Sequence, residues 1–122
     1  MPGPNHLQAP SSRLVALRLA QDAAVRLLRA LPRSVRGCGD LGDQARRAAV
    51  AVALNLAEGH AARGGNRLQH WRVAHGSCQE VKCALSLLEA VGALPEDAAQ
   101  ELLEAFDRVG RVTWGLLRRP GR

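Results

Sequence analysis

The chain has 122 residues, of which 47% are apolar and 23% charged, and its formal net charge is +6. A chain of this length forms one domain, and it contains no uncharged stretch near the roughly 20 residues that a membrane-spanning helix needs. We therefore expect a single domain and no membrane-spanning helix, and the abundance of Ala and Leu over strand-favouring residues predicts a helical fold.

Proline, glycine and capping residues divide the chain into a tail and four helical segments. Residues 1–10 contain three prolines and no apolar block, so we expect a flexible tail, no secretory signal and a cytoplasmic protein. The helices are predicted from Ser11 or Ser12 to Leu31, from Asp40 to about Ala62, from Asn66 to about Val91, and from Pro95 to about Arg118. Residues 11–119 then form the bundle, and 120–122 form a C-terminal tail.

Within each segment, apolar residues recur with the three-four spacing of packed helices. When consecutive helices are placed antiparallel, these positions come level with one another across all three turns. Short turns make neighbouring helices antiparallel, so the predicted fold is an all-α, antiparallel up-down-up-down four-helix bundle. The predicted layers from one end to the other are Leu31, Leu41, Leu85, Leu102; Leu27, Ala45, Val81, Phe106; Ala24, Ala48, Cys78, Val109; Ala20, Val52, Ala74, Thr113; and Leu17, Asn55, Trp71, Leu116.

The end layer contains the one strongly polar inward position, Asn55. A buried Trp71 indole N–H needs an acceptor, which predicts an Asn55–Trp71 hydrogen bond that fixes the register. The alternative is an Asn55 that bonds only to its own helix or to water.

The outward positions of the predicted bundle differ between helix pairs. Those of the first and fourth helices are mostly charged, whereas those of the second and third are largely apolar, and soluble monomers rarely expose such a patch. The sequence therefore predicts a homo-oligomer, unless the helix phase is wrong by one position and the patch is core. The predicted interface residues are Val50, Leu54, Val73, Leu87 and Val91.

Sixteen of the seventeen basic residues are arginine, whose planar guanidinium group suits phosphate. Seven are predicted to converge at one pole of the bundle, where Glu58 is the main nearby acid: Arg13, Arg18, Arg63, Arg67, Arg111, Arg118 and Arg119. They predict a site for the backbone of RNA or DNA. Two alternatives remain: a solvated helix end, and arginine enrichment by the codon preference of a GC-rich genome.

The sequence shows no catalytic pattern. Its four histidines form no HExxH or HxH motif, and its three cysteines have no CxxC spacing, so neither a metal site nor a disulfide framework is indicated. We therefore predict a non-enzymatic protein with reduced thiols, no metal and no cofactor, in which Cys78 is a packing residue.

The second predicted helix carries the run QARRAAVAVALNLAEG, residues 44–59, which contains Asn55, Ala57, Glu58 and Gly59. With Gly76, Ser77 and Glu80, this run resembles a bacterial four-helix-bundle family. Its members include proteins encoded by intervening sequences in large-subunit ribosomal RNA genes and, more distantly, the accessory variability determinant of diversity-generating retroelements. The resemblance covers about residues 14–117, and it implies a non-enzymatic homopentamer with a basic surface that, in the retroelement case, binds a reverse transcriptase and its RNA or DNA.

Two functional hypotheses follow. In the first, the protein is an accessory nucleic-acid-binding module, as a reverse-transcriptase cofactor would be, and its arginines bind phosphates. In the second, it is a protein-binding scaffold whose charges serve solubility. The first predicts binding that weakens steeply with salt, and the second predicts no binding to nucleic acid at physiological salt.

Overall fold

The computed structural model describes residues 11–32, 35 and 37–119. In these residues it contains four helices: α1 (Ser12–Ala30), α2 (Gly39–Ala61), α3 (Gly64–Ala90) and α4 (Glu96–Arg118). Each helix packs against its neighbours in the cyclic order α1, α2, α3, α4. The predicted four-helix bundle is confirmed, and the two predicted tails lie outside the described residues.

The helix ends follow from local capping chemistry. Ser11 caps α1, since its hydroxyl accepts a hydrogen bond from the Leu14 amide at 3.3 Å. Pro95 precedes α4, and Glu96 and Asp97 lie in its first turn, where the helix dipole favours acidic side chains. The prediction that the second helix begins at Asp40 was wrong by one residue: α2 begins at Gly39, after Cys38, and has no side-chain cap.

The core is the one that the three-four spacing predicts. All but three of the predicted layer residues are buried, and the exceptions, Leu17, Leu41 and Asn55, are half-buried. All three belong to the two end layers, where the bundle opens to water. The helix phase is therefore correct.

The contact between α2 and α3 is the most extensive in the bundle. Ala49, Ser77 and Ala84 are buried in addition to the predicted layers. The sequence pattern places Ser77 and Ala84 on the outward face of the third helix, and their burial shows that this part of the prediction was wrong. Because all three side chains are small, the two helices can approach closely, and the core widens toward this pair.

Large apolar side chains remain exposed on several faces. Leu54, Leu87 and Val91 are 56%, 48% and 61% exposed, so the alternative that this patch is core is wrong. Val50 and Val73, the other predicted interface residues, are exposed as well. The outward positions of α1 and α4, which the sequence predicts to be mostly charged, also include large apolar side chains. These are Val25, Leu28 and Trp114.

Candidate nucleic-acid interface

Three of the seven predicted phosphate-binding arginines lie around one cleft. The cleft has a volume of about 450 Å³ and is lined by Arg13 from the start of α1 and by Arg118 and Arg119 from the end of α4. None of the three forms an ion pair with a carboxylate among the described residues. The positive dipole end of α1 lies beside the negative dipole end of α4, so the two largely cancel. The positive charge of the cleft therefore comes from the three guanidinium groups.

The rest of the cleft lining is part apolar and part polar, and Val112 and Leu116 of α4 contribute the apolar side chains. Gly115 contributes no side chain, and Ser11 and Ser12 add hydroxyl groups that can donate to phosphate oxygens. A planar guanidinium group binds phosphate through two parallel hydrogen bonds.

Three of the four remaining predicted arginines lie at separate places on the bundle. Arg63 is exposed at the N-cap of α3, and Arg18 is exposed on α1. Arg111 lies about two turns before the end of α4, where its Nε is 3.3 Å from Asp107. The structure thus brings three of the seven together in the cleft and leaves the other four, Arg18, Arg63, Arg67 and Arg111, outside its lining.

Arg67 was predicted to bind phosphate, but its guanidinium group is occupied within the fold. Its Nε donates to the Gly59 carbonyl at 2.9 Å and its Nη2 to the His60 carbonyl at 3.3 Å. Its guanidinium carbon also lies 5.8 Å from the centre of the Trp71 ring. Arg67 therefore satisfies carbonyls that the end of α2 leaves without helical partners, which is a structural task.

The predicted Asn55–Trp71 hydrogen bond was wrong, because Asn55 bonds elsewhere. Its Nδ2 donates to the Ala51 carbonyl of its own helix at 2.9 Å. Its Oδ1 lies 3.1 Å from His70 Nδ1, and Glu58 Oε2 lies 3.3 Å from the same nitrogen. Both oxygens are acceptors, so an Nδ1–H of His70 serves them together. Asn55 and Glu58 thus tie α2 to α3 through a histidine that the spacing argument did not consider.

Trp71 is 2% exposed and packs directly on Gly59. A Cβ placed on Gly59 would be 2.7 Å from both Cδ1 and Nε1 of the indole ring, well inside the ordinary contact distance of about 3.5 to 4.0 Å. Asn55, Glu58 and Gly59, which drew the family resemblance, therefore join α2 to the first turns of α3. This cluster builds the helical hairpin and is distinct from the arginine cleft.

The described residues show little reactive chemistry. Burial raises the pKa of the Cys78 thiol to about 11, and its Sγ donates to the Phe106 carbonyl at 3.1 Å, as suits a packing residue. Within residues 11–32, 35 and 37–119, no cluster of three or more His, Cys, Asp or Glu side chains is placed to bind a metal ion. In the same part of the chain, no helix is long and apolar enough to span a membrane.

A solved structure shares this fold over nearly its whole length. It is the crystal structure of a protein of unknown function from the S23 ribosomal protein family of Bacteroides thetaiotaomicron, and it matches with a TM-score of 0.79 at 13% identity. The match covers 88% of this chain and 98% of the other. A comparison with curated proteins finds no match. The profile of the 23S rRNA-intervening sequence protein family matches residues 14–115, which is most of the chain. The chain therefore belongs to the 23S rRNA-intervening sequence protein family.

Proposed function

We propose that this protein is a non-enzymatic, oligomeric accessory protein of the cytoplasm that binds the phosphate backbone of RNA or DNA. The observation that carries the proposal is the cleft between the start of α1 and the end of α4, where Arg13, Arg118 and Arg119 meet. A family described by an rRNA intervening sequence supports RNA as the first nucleic acid to test. A reverse transcriptase of a diversity-generating retroelement is the protein partner that the family resemblance suggests.

The cleft offers guanidinium groups and hydroxyls but no aromatic side chain or base-reading amide. Contacts of this kind position a nucleic acid without reading its sequence. We therefore expect binding that tolerates scrambling of the sequence and weakens with salt.

Oligomerisation would multiply this site. Leu54, Leu87 and Val91 each expose about half of their side chain, and burying them between copies would remove apolar surface from water. Each copy would then contribute one cleft, and a nucleic acid long enough to reach two clefts would bind with avidity. A pentamer is the subunit number that the resemblance suggests.

The test is a fluorescence anisotropy titration of an end-labelled single-stranded RNA at physiological ionic strength. The variant carries Arg13→Gln, Arg118→Gln and Arg119→Gln. We expect its affinity to fall at least about tenfold, because each lost guanidinium group removes a phosphate contact and its counterion release.

The matched control carries Arg26→Gln, Arg29→Gln and Arg47→Gln, three exposed arginines outside the cleft. Both variants lose three positive charges, so a general effect of net charge would weaken them equally. A wild-type protein that binds neither RNA nor DNA would refute the proposal and leave the protein-binding scaffold as the better hypothesis.

A further inference from the structure

A second depression lies between α3 and α4, outside the arginine cleft. It has a volume of about 210 Å³ and is lined by His75, Gln79 and Lys82 of α3 and by Asp107, Arg111 and Trp114 of α4. Trp114 was not among the predicted site residues. It occupies an outward position of α4, and the outward positions of that helix were predicted to be mostly charged.

Trp114 does not serve the core. Its side chain is 52% exposed, whereas Trp71, the other tryptophan, is 2% exposed. The Trp114 indole is held against the His75 ring, with centroids 5.5 Å apart and the planes inclined by 40°. This contact orients the indole, and half of its surface still faces water.

The surroundings of Trp114 are polar and carry more positive than negative charge. Lys82 Nζ and Arg111 Nε lie 3.2 and 3.3 Å from the two oxygens of Asp107. One carboxylate thus faces two cations, so one positive charge is left uncompensated. The Arg111 side chain is 75% exposed, and most of its donors are free to reach a ligand.

Spacing along α4 places Trp114 between two arginines on one face. Residues three and four apart lie on the same side of a helix, so Arg111, Trp114 and Arg118 form a row about 10 Å long at 1.5 Å rise per residue. Arg118 also lines the arginine cleft. The row therefore continues the cleft along the outside of α4.

We propose that Trp114 is a stacking platform for an unpaired base of a single-stranded nucleic acid, whose adjacent phosphates contact Arg111 and Arg118. An aromatic face beside cations is the arrangement by which proteins bind single strands without sequence preference. In a duplex the base faces are stacked on one another and cannot be covered by an indole. The inference rests on the proposed function and adds that the ligand is single-stranded and contacted through a base.

A protein partner would favour different neighbours around the tryptophan. The centre of a protein interface is depleted of charged side chains, whereas Trp114 is surrounded by Lys82, Asp107 and Arg111. The exposed apolar side chains of α2 and α3 form the surface that better fits a protein contact.

The experiment compares Trp114→Ala and Trp114→Phe with Leu28→Ala, a control at a similarly exposed apolar residue of α1. We expect Trp114→Ala to weaken the binding of single-stranded RNA about 5- to 150-fold, the range for loss of one stacked base. Trp114→Phe should recover part of the affinity, and Leu28→Ala should bind like the wild type. Inorganic polyphosphate, which carries charge but no bases, should bind all of these proteins equally.

Tryptophan fluorescence gives a second measurement. Because Trp71 is buried, quenching of the wild-type emission by RNA should arise from Trp114 and should vanish in Trp114→Phe. Polyphosphate should not quench.

Three outcomes would count against the proposals. If the wild type binds no nucleic acid, the proposed function itself fails. If Trp114→Ala binds RNA as Leu28→Ala does while the arginine variant loses binding, the cleft stands and the stacking platform is refuted. If light scattering shows that Trp114→Ala changes the molar mass, Trp114 belongs to a contact between copies and the platform is again refuted.

Discussion

Replacing Gly59 by alanine tests how α2 and α3 are joined. Gly59 is buried two residues before the end of α2, and a Cβ there would lie 2.7 Å from Cδ1 and Nε1 of Trp71. The indole ring is itself 2% exposed, so it cannot move aside without displacing its neighbours in the core.

Two effects of opposite sign determine the magnitude. Alanine is favoured over glycine within a helix by about 1 kcal/mol, whereas forcing an extra carbon into a packed site costs about 1–3 kcal/mol. Gly115→Ala supplies the matched control, because Gly115 lies three residues before the end of α4 and a Cβ there meets nothing within 4 Å. Helix propensity largely cancels in the difference, so Gly59→Ala should be less stable than Gly115→Ala by about 1–3 kcal/mol.

The assay is urea unfolding followed by circular dichroism, with all variants at one protein concentration because association would add to the apparent stability. A thermal melt should give a difference of about 4 °C for each kcal/mol in a domain of this size. Equal stabilities for Gly59→Ala and Gly115→Ala would refute the close packing of Trp71 on Gly59.

Three further predictions concern the arginines, the thiols and the apolar surface. Arg67→Gln should lower the free energy of unfolding by about 1–2 kcal/mol, since it leaves the carbonyls at the end of α2 without donors. Arg13→Gln should instead weaken RNA binding and leave the stability unchanged. If Arg67→Gln weakens RNA binding without loss of stability, Arg67 is a phosphate-binding residue and its structural assignment is wrong. Because burial raises the pKa of the Cys78 thiol to about 11, little of it is the reactive thiolate near pH 8. Iodoacetamide followed by mass spectrometry should therefore modify the exposed Cys83 first. Rapid reaction of Cys78 in the native protein would contradict its burial. Leu54→Glu with Leu87→Glu should reduce the molar mass measured by light scattering, while Leu28→Glu should not; a wild type that is already monomeric would end the proposal of self-association.

The helical architecture could be predicted because one periodic signal recurs four times. In each helix the core positions repeat with three-four spacing. Antiparallel packing then places positions of different helices, such as Leu27, Val81 and Phe106, in one layer, and this step needs no knowledge of side-chain conformation. Three predicted core residues are only half-buried: Leu17, Leu41 and Asn55. They lie in the end layers of the bundle, where a side chain that points inward is still reached by water because no further layer covers it.

The candidate site was only partly predictable, since helix position does not reveal what a long side chain contacts. Arg67 and Arg118 were placed at the same pole, yet one bonds to backbone carbonyls and the other lines an open cleft. Arg67 turns inward because the carbonyls at the end of α2 have no helical partners. A pattern of residue types does not show where those carbonyls lie. The contacts of His70 with Asn55 and Glu58 were not predicted either, because they also depend on side-chain conformation.

Trp114 could have been found from the sequence by asking which large aromatic side chain falls outside the core seams. Trp114 lies between the predicted core residues Thr113 and Leu116, at a helix position whose side chain points outward. An aromatic side chain beside cations is one arrangement by which proteins bind single-stranded nucleic acid, and this is the reason for testing Trp114.

The salt dependence of RNA affinity tests the arginine cleft most directly. Each phosphate contact to a single strand contributes about 0.7 to the slope of log affinity against log salt. Replacing Arg13, Arg118 and Arg119 by glutamine should therefore reduce that slope by about 2, whereas replacing Arg26, Arg29 and Arg47 should leave it nearly unchanged. Equal slopes for the two variants would contradict the assignment of phosphate binding to this cleft.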